Sequence, residues 1–337
     1  MTNWYTYLMD LHSLTIPTHI HDSTEFVMQH ALDVSIDPTN IREILSPIQK
    51  RFAQGFDTVE DAFGSTGDKE KDINLVYFET AANFCFWSQN PSNKWVIEHN
   101  GSSSGGWYGL RNAFARALDN GIPVYDAAFM SELTLSQAAD IFRGQNDVQI
   151  PLLEWRLNNI VEAATFLLGE HDGQAENFLA ACNYDAPTIA YEIARKLDSY
   201  RDGGWYKNNW VWLLKRAQIL PNDLAQLTQK YPDFTINNLD KVTIFADYRL
   251  PQILRHYGVL KYSEKLSTIV DNKKLLPHGS SMEIEIRAAT IVACQQISKL
   301  LPGMATADID VSLWLLSQDM RNDPTLKPHH FTYSYFY

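Results

Sequence analysis

Asp247, Tyr248 and Arg249 stand side by side between Ile244-Phe245-Ala246 and Leu250-Pro251-Gln252. An acid, a phenol and a guanidinium are thereby set among apolar neighbours. A carboxylate in such surroundings loses water, so it becomes a strong local charge or holds its proton more tightly. Two roles fit Asp247 on residue type. It can be a catalytic carboxylate, or it can cap a short helix entered through Pro251, with Arg249 as its ion-pair partner. The cap is the simpler of the two.

Other polar residues sit where burial would be costly. Lys215 and Arg216 lie among Trp212, Leu213, Leu214, Ala217 and Ile219. Adjacent helical residues point about 100° apart, so one of the pair is expected to face inward and the other solvent. A buried lysine needs an anionic partner, a carboxylate or a ligand phosphate. Glu283 and Arg287 are four apart and form an expected structural ion pair. Asn83 lies in the apolar run Ala81–Ser88, where it must brace backbone or face a ligand. Asp310 precedes Leu313-Trp314, and His329-His330 opens an aromatic tail that should dock on the body. His330 can meet a phosphate, although a hydrogen-bonded structural histidine is the commoner fate.

The chain of 337 residues carries 28 basic and 40 acidic residues, a net charge of −12. That balance disfavours a long polynucleotide or an anionic membrane as partner, yet one or two basic residues in a pocket still suffice for a small anion. Nine Trp, 16 Phe and 16 Tyr can fill a core or wall a pocket for a planar ligand. Cys85, Cys182 and Cys294 are far apart in apolar surroundings, which suits buried thiols in a reducing compartment. No spacing suggests a metal site, and no organic cofactor motif is present; the Gly-rich stretch near residues 101–106 lacks the lysine of a phosphate-binding loop. There is no signal-peptide pattern and no membrane-spanning run, so a cytoplasmic protein is expected.

These groups need a scaffold, and its pattern is helical. Asp37-Pro38 is read as a helix start, with Ile41, Ile44, Leu45 and Ile48 at helical spacing and Pro47 ending or bending the helix. Residues 54–72 read as a loop. Thr134 and Gln137 form a capping-box pattern, and further helices are expected over 151–169, 189–197, 210–220 and 282–301. Residues 95–108 suit a small β-hairpin. The expectation is an all-α fold, with residues 1–30 an irregular arm and 31–337 a single domain, acting as a monomer.

The pieces Asn83-Phe84-Cys85-Phe86-Trp87, Gly106-Trp107-Tyr108-Gly109-Leu110, Ile150-Pro151-Leu152-Leu153 and Leu214-Lys215-Arg216-Ala217-Gln218 occur in this order. Phe245 to Gln252, Glu283 to Ala288, Asp310 with Leu313-Trp314, and the His-plus-aromatic tail follow. The set resembles the queuosine-salvage family from about residue 30 onward; residues 1–30 and 54–72 match no pattern. The resemblance implies an all-α fold similar to helix-hairpin-helix DNA glycosylases. It implies hydrolysis of the N-glycosidic bond of queuosine 5′-phosphate, or of queuosine itself, releasing queuine for reinsertion into tRNA. Asp247 would then be the catalytic carboxylate. Phe245, Trp87 and Trp314 would clamp the base, Asp310 would accept its hydrogen bonds, and Lys215 and Arg249 would meet the 5′-phosphate. Tyr248, Asn83 and His330 complete the expected substrate contacts. No cofactor, metal or stable nucleic-acid complex is implied. Two rivals remain: a non-catalytic module for a modified nucleoside, and a DNA-repair glycosylase. The second would need a basic groove and more glycine than His256-Tyr257-Gly258-Val259-Leu260 offers.

Overall fold

The computed structural model describes residues 16–55, 65–88, 90 and 93–337. The elements run α1 (Ile16–His30), β1 (Val34–Ile36), α2 (Ile41–Ala53), α3 (Lys69–Ala81), β2 (Ile97–His99), β3 (Ser102–Ser104) and α4 (Gly106–Asp119). Then come α5 (Ala127–Ser131), α6 (Leu135–Ile141), α7 (Leu153–Glu170), α8 (Ala175–Ala181), α9 (Ala186–Lys196), β4 (Gly203–Tyr206) and β5 (Asn209–Trp212). The chain closes with α10 (Lys215–Ala225), α11 (Arg249–His256), β6 (Leu260–Tyr262), α12 (Glu264–Asp271), α13 (Ser281–Leu300) and α14 (Thr306–Asp319). The fold is mainly helical. Its strands form three two-stranded antiparallel pairs, β1–β6, β2–β3 and β4–β5.

Helix α13 is the central element. Ile284, Ile286, Ala288, Ala289, Ile291, Ala293 and Cys294 are all buried, so it is apolar on nearly every side. It packs against α1, α2, α11 and α14. Burying one such Ile side chain contributes about 1.5–3 kcal/mol. The charges this helix carries are therefore held deep in the molecule. Glu285 accepts backbone N–H bonds from Leu32, Asp33 and Val34 at 3.1, 2.7 and 3.1 Å and the Tyr206 hydroxyl at 2.8 Å. One buried carboxylate thus ties the start of β1 and the end of β4 to the core.

Several sequence expectations hold. The 95–108 hairpin is β2–β3, and the Thr134–Gln137 capping box opens α6. The aromatic tail docks on the body as well. Others need correction. Residues 16–30 are helical rather than irregular. Ile20, Thr24 and Val27 form the buried face, and the Thr24 hydroxyl is satisfied by the Ile20 carbonyl at 2.8 Å; a polar residue in that face hid the period. The first fifteen residues of the expected arm lie outside the described residues. Helix α2 starts at Ile41, because the Asp37 carboxylate turns back onto Thr39 and Asn40. Pro47 lies inside α2 without ending it, since Ile44 and Ile48 stay buried on either side. The expected loop 54–72 gives way to α3 at Lys69. Asp72 is buried there, accepting from Ser65, Thr66 and Tyr231 at 2.6–2.7 Å. Residues 209–212 form a strand instead of a helix. Lys207 and Asn208, both at positive φ, make a two-residue turn that pairs β5 with β4.

Candidate active site

The segment Val242–Asp247 is buried but neither helix nor strand. Its backbone groups need partners, and three helices supply them through side chains. Gln218 of α10 accepts the Thr243 N–H at 2.7 Å, and Asp310 of α14 accepts the Phe245 N–H at 2.7 Å. Arg287 of α13 donates from Nε to the Ala246 carbonyl at 2.9 Å. The segment is thus pinned from three directions just ahead of Asp247. The Asp247 carboxylate then accepts the N–H groups of Arg249 (2.6 Å) and Leu250 (3.1 Å), capping α11. Pro251 falls in the first turn of α11, where its missing N–H is no loss. The capping geometry expected for Asp247 is present. The expected Arg249 ion pair is not, because the Arg249 guanidinium turns to the Gln252 carbonyl oxygen at 3.2 Å.

Lys215 begins α10 immediately after Leu214, which lies in the left-handed region at φ +48°. Its N–H donates to Asp202 Oδ2 at 2.8 Å, and the Asp202 carbonyl accepts from Leu213 and Leu214. Asp202 also grips Arg287 through two bonds of 2.8 and 2.6 Å. One acid therefore fixes both the start of α10 and the arginine behind Asp247. The Lys215 ammonium has only a long contact, 3.5 Å, to the Asn83 carbonyl. Among the described residues no carboxylate lies within ion-pair distance of it. Arg216 is buried too, donating to the Ala81 and Ser199 carbonyls, so the expectation that one of the two reaches solvent is corrected. Both point inward because Arg216 spans to the end of α3 while Lys215 faces a cavity.

That cavity has a volume of about 640 Å³. Asn83, Trp87, Lys215, Phe245, Asp247, Tyr248, Arg249, Asp310 and Trp314 all line it. His330 does not: it is buried at 3.3 Å from the Tyr337 hydroxyl, and burial with the nearby Arg287 charge pushes its pKa down to about 3. It is a neutral packing residue within the docked tail. Trp87 is held by Phe331 and stacks on Tyr333 at 4.6 Å. Trp314 packs with Trp107 and Tyr108 at 6.2 and 5.7 Å, and Arg111, paired with Glu79, lies over Trp107. These walls reach the cavity because Gly109 lets α4 approach β3; a Cβ there would stand 2.6 Å from the Ser104 carbonyl oxygen.

Asp223, Asp247, Asp310 and Lys215 are only 5, 8, 5 and 6 % exposed, so they form the floor. Burial raises the Asp247 pKa, and the Lys215 charge and the two capping N–H groups pull it back. Burial pushes the Asp310 carboxyl well up, opposed by the Phe245 N–H and reinforced by Asp247. Asp223 rises to about 6, again through burial, with Arg111 and Lys215 opposing. The Lys215 pKa is lowered by burial and supported mainly by Asp247. The floor thus gathers three acids that hold their protons more tightly than usual, with the Lys215 amine beside them.

Residue reasoning missed Asp202, Asp223, Lys94 and Arg321. Asp223 had a signal: Lys215, Ile219, Asn222 and Asp223 recur at helical spacing on α10 and all line the cavity. Among the described residues no group of His, Cys, Asp and Glu could hold a metal ion, and no helix is long and apolar enough to cross a membrane.

An aromatic cavity with a buried acid and lysine at its floor, in a helical scaffold, defines a protein built to take up a flat, polar small molecule. The chain belongs to the queuosine salvage protein family, whose model matches residues 64–337. It is similar to queuosine 5′-phosphate N-glycosylase/hydrolase of Sphaerobacter thermophilus, with 30% identity over 94% of this chain and 96% of that protein. The mouse protein of the same name is 29% identical over 95% of this chain and 99% of its own length. The bovine one is 28% identical over 94% and 98%.

Proposed function

We propose that this protein hydrolyses the N-glycosidic bond of queuosine 5′-phosphate and releases queuine for salvage into tRNA. The observation that carries the proposal is the Asp247 carboxylate, fixed by two backbone N–H groups at the floor of an aromatic cavity. The family and the names of its relatives agree with it.

Departure of the base leaves positive charge on the sugar. A carboxylate beneath the anomeric carbon stabilises that oxocarbenium-like state and orients the attacking water. The C1′–N bond breaks, the water oxygen bonds C1′, and one water proton ends on the departing base. Queuine is a 7-deaza base, so protonation at N7 is not open to it. In this reading Lys215 keeps Asp247 ionised. Asp310, which binds its proton more tightly than an ordinary acid, donates to the base as well as accepting from it. Phe245, Trp87 and Trp314 enclose the base, Asn83 and Tyr248 line the sugar's path, and Arg249 faces the phosphate. The reaction needs water alone as co-reactant.

The same proposal takes the protein as a cytoplasmic monomer with residues 31–337 as one domain, in an arrangement akin to helix-hairpin-helix glycosylases. Its acidity, net −12, supports a small-molecule substrate over a stable nucleic-acid complex. The test is incubation with queuosine 5′-phosphate and detection of free queuine by mass spectrometry. Release is expected; a folded protein that released none would sink the reading. Retarded migration of duplex DNA at moderate salt would favour a DNA-directed glycosylase instead.

A further inference from the structure

One wall of the cavity is anchored apart from the main core. Phe84, Cys85 and Trp87 pack with Phe331, Phe336 and Tyr337 of the docked tail in a small hydrophobic cluster of their own. Arg156 holds this wall by its carbonyls, donating to Ala82, Phe84 and Cys85 at 2.7, 2.5 and 2.9 Å. Cys85, at φ +38°, donates its own N–H to the Tyr337 carbonyl at 3.0 Å. A non-glycine residue keeps such a backbone only where its surroundings enforce it. The Tyr337 side chain serves a second element. Its ring centre lies 4.0 Å from the Arg287 guanidinium, and its hydroxyl stands 3.3 Å from His330 Nε2. Both Arg287 and Tyr337 are buried. The ring thus covers one face of a guanidinium whose edges are bound by Asp202, Glu283 and the Ala246 carbonyl. An aromatic face over a planar cation holds it against tilting out of its plane. Ala246 directly precedes Asp247.

We propose that Tyr337 is a positioning residue: its backbone holds the wall that carries Trp87, its ring holds the arginine that pins the Asp247 segment, and so it sets the gap between Trp87 and Asp247. This rests on the proposed hydrolysis. Tyr337 borders the cavity, but its effect runs through Cys85 and Arg287 and needs no contact with substrate. The aromatic face is the part that acts, and the hydroxyl is secondary.

The test compares Tyr337→Phe with Tyr337→Leu. Phenylalanine keeps the flat face; leucine keeps an apolar side chain in the cluster but has no face to lay on Arg287. With queuosine 5′-phosphate, Tyr337→Phe should keep kcat within about twofold of wild type, whereas Tyr337→Leu should lower it about tenfold or more. KM should change less, because Asp247 acts on charge that exists only in the transition state. A second readout needs no turnover: labelling of Cys85 by a thiol reagent, located by peptide mass mapping. Tyr337→Leu should speed it on the order of tenfold, Tyr337→Phe should leave it unchanged, and the buried Cys182 and Cys294 serve as internal controls. A leucine variant with wild-type kcat and labelling overturns the brace, since Tyr337 would then only fill space. A phenylalanine variant with a loss of tenfold or more also overturns it, and this holds even if the leucine variant does not fold. A folded wild type that released no queuine would overturn the reaction, and Cys85 labelling would still decide the brace.

Discussion

Two sets of buried charge meet at Asp202, and they are treated in opposite ways. Arg287 is fully enclosed. It makes two bonds to Asp202, a longer one to Glu283 at 3.4 Å and one to the Ala246 carbonyl, and its guanidinium lies 4.0 Å from the centre of the Tyr337 ring. Burial works against its charge, but Asp202 and Glu283 more than compensate, and its pKa is raised. Lys215 has one long contact, and its pKa is lowered. Planar, saturated pairing makes the first set a fastener. The second set keeps its charges unsaturated beside open space, the condition in which a site can respond to charge that develops on a substrate. Asp202 joins the two, because it binds Arg287 through its carboxylate and receives the Lys215 N–H. The fastener therefore sets the distance between the working groups.

Mutations should separate the two sets. The largest effect is expected for Arg287→Met, which leaves Asp202 and Glu283 buried without their cation. Urea denaturation should show a loss of about 3–5 kcal/mol. A loss below about 1 kcal/mol would erase the contrast drawn above. Asp247→Asn should lower kcat about 10²–10³-fold, or about 2.7–4 kcal/mol. Its stability should stay near wild type, because an asparagine oxygen can still accept the two capping N–H groups. A large drop in melting temperature, with activity lost only in step with unfolding, would return Asp247 to a purely structural role.

Asp223 offers a test by pH. Its folded pKa, about 6, lies above the ordinary 3.8, so the folded state binds the extra proton between those values. The group's contribution is complete below the ordinary pKa and fades as pH rises through about 6, a swing on the order of 2–3 kcal/mol. Asp223→Asn should flatten that fall, read from denaturation curves between pH 4 and 7; an unchanged pH slope would count against a buried, proton-bearing Asp223. The smallest expected effect is for Lys215→Met. Lys215 holds the Asp247 pKa down, so its removal should move the acid limb of the kcat/KM profile to higher pH and lower activity at neutrality about tenfold. An acid limb that stayed in place would separate Lys215 from Asp247.

Much of the site was legible in the chain. Nine of the ten residues expected to contact substrate or catalyse line one cavity: Asp247, Tyr248, Arg249, Lys215, Asn83 and Asp310 stood out as polar groups among apolar neighbours, whereas Phe245, Trp87 and Trp314 were implied by the family resemblance. His330 failed that pattern. Its neighbours turned its ring to Tyr337 rather than to the cavity, and adjacent positions in an irregular tail have no period to read. Among the elements, α13 and the β2–β3 hairpin were clear, whereas β4–β5 was hidden beneath aromatic residues that fit a helix face as well as a strand. Its turn, Lys207-Asn208, was the overlooked sign.

Local chemistry alone determined the helical rhythm, the capping geometry of Asp247 and the buried pairing of Glu283 with Arg287, since each depends on residues a few positions apart. Only the tertiary structure decided that Lys215 and Arg216 both turn inward, that Asp202 couples Arg287 to Lys215, and that Lys94 and Arg321 line one cavity with Arg249. Those relations join residues as far as 227 positions apart, from Lys94 to Arg321. Packing of α10, α11, α13 and α14 around one buried, irregular segment brings them together. Periodicity reports which face of an element is buried, and the identity of the neighbour across that face is set by the fold.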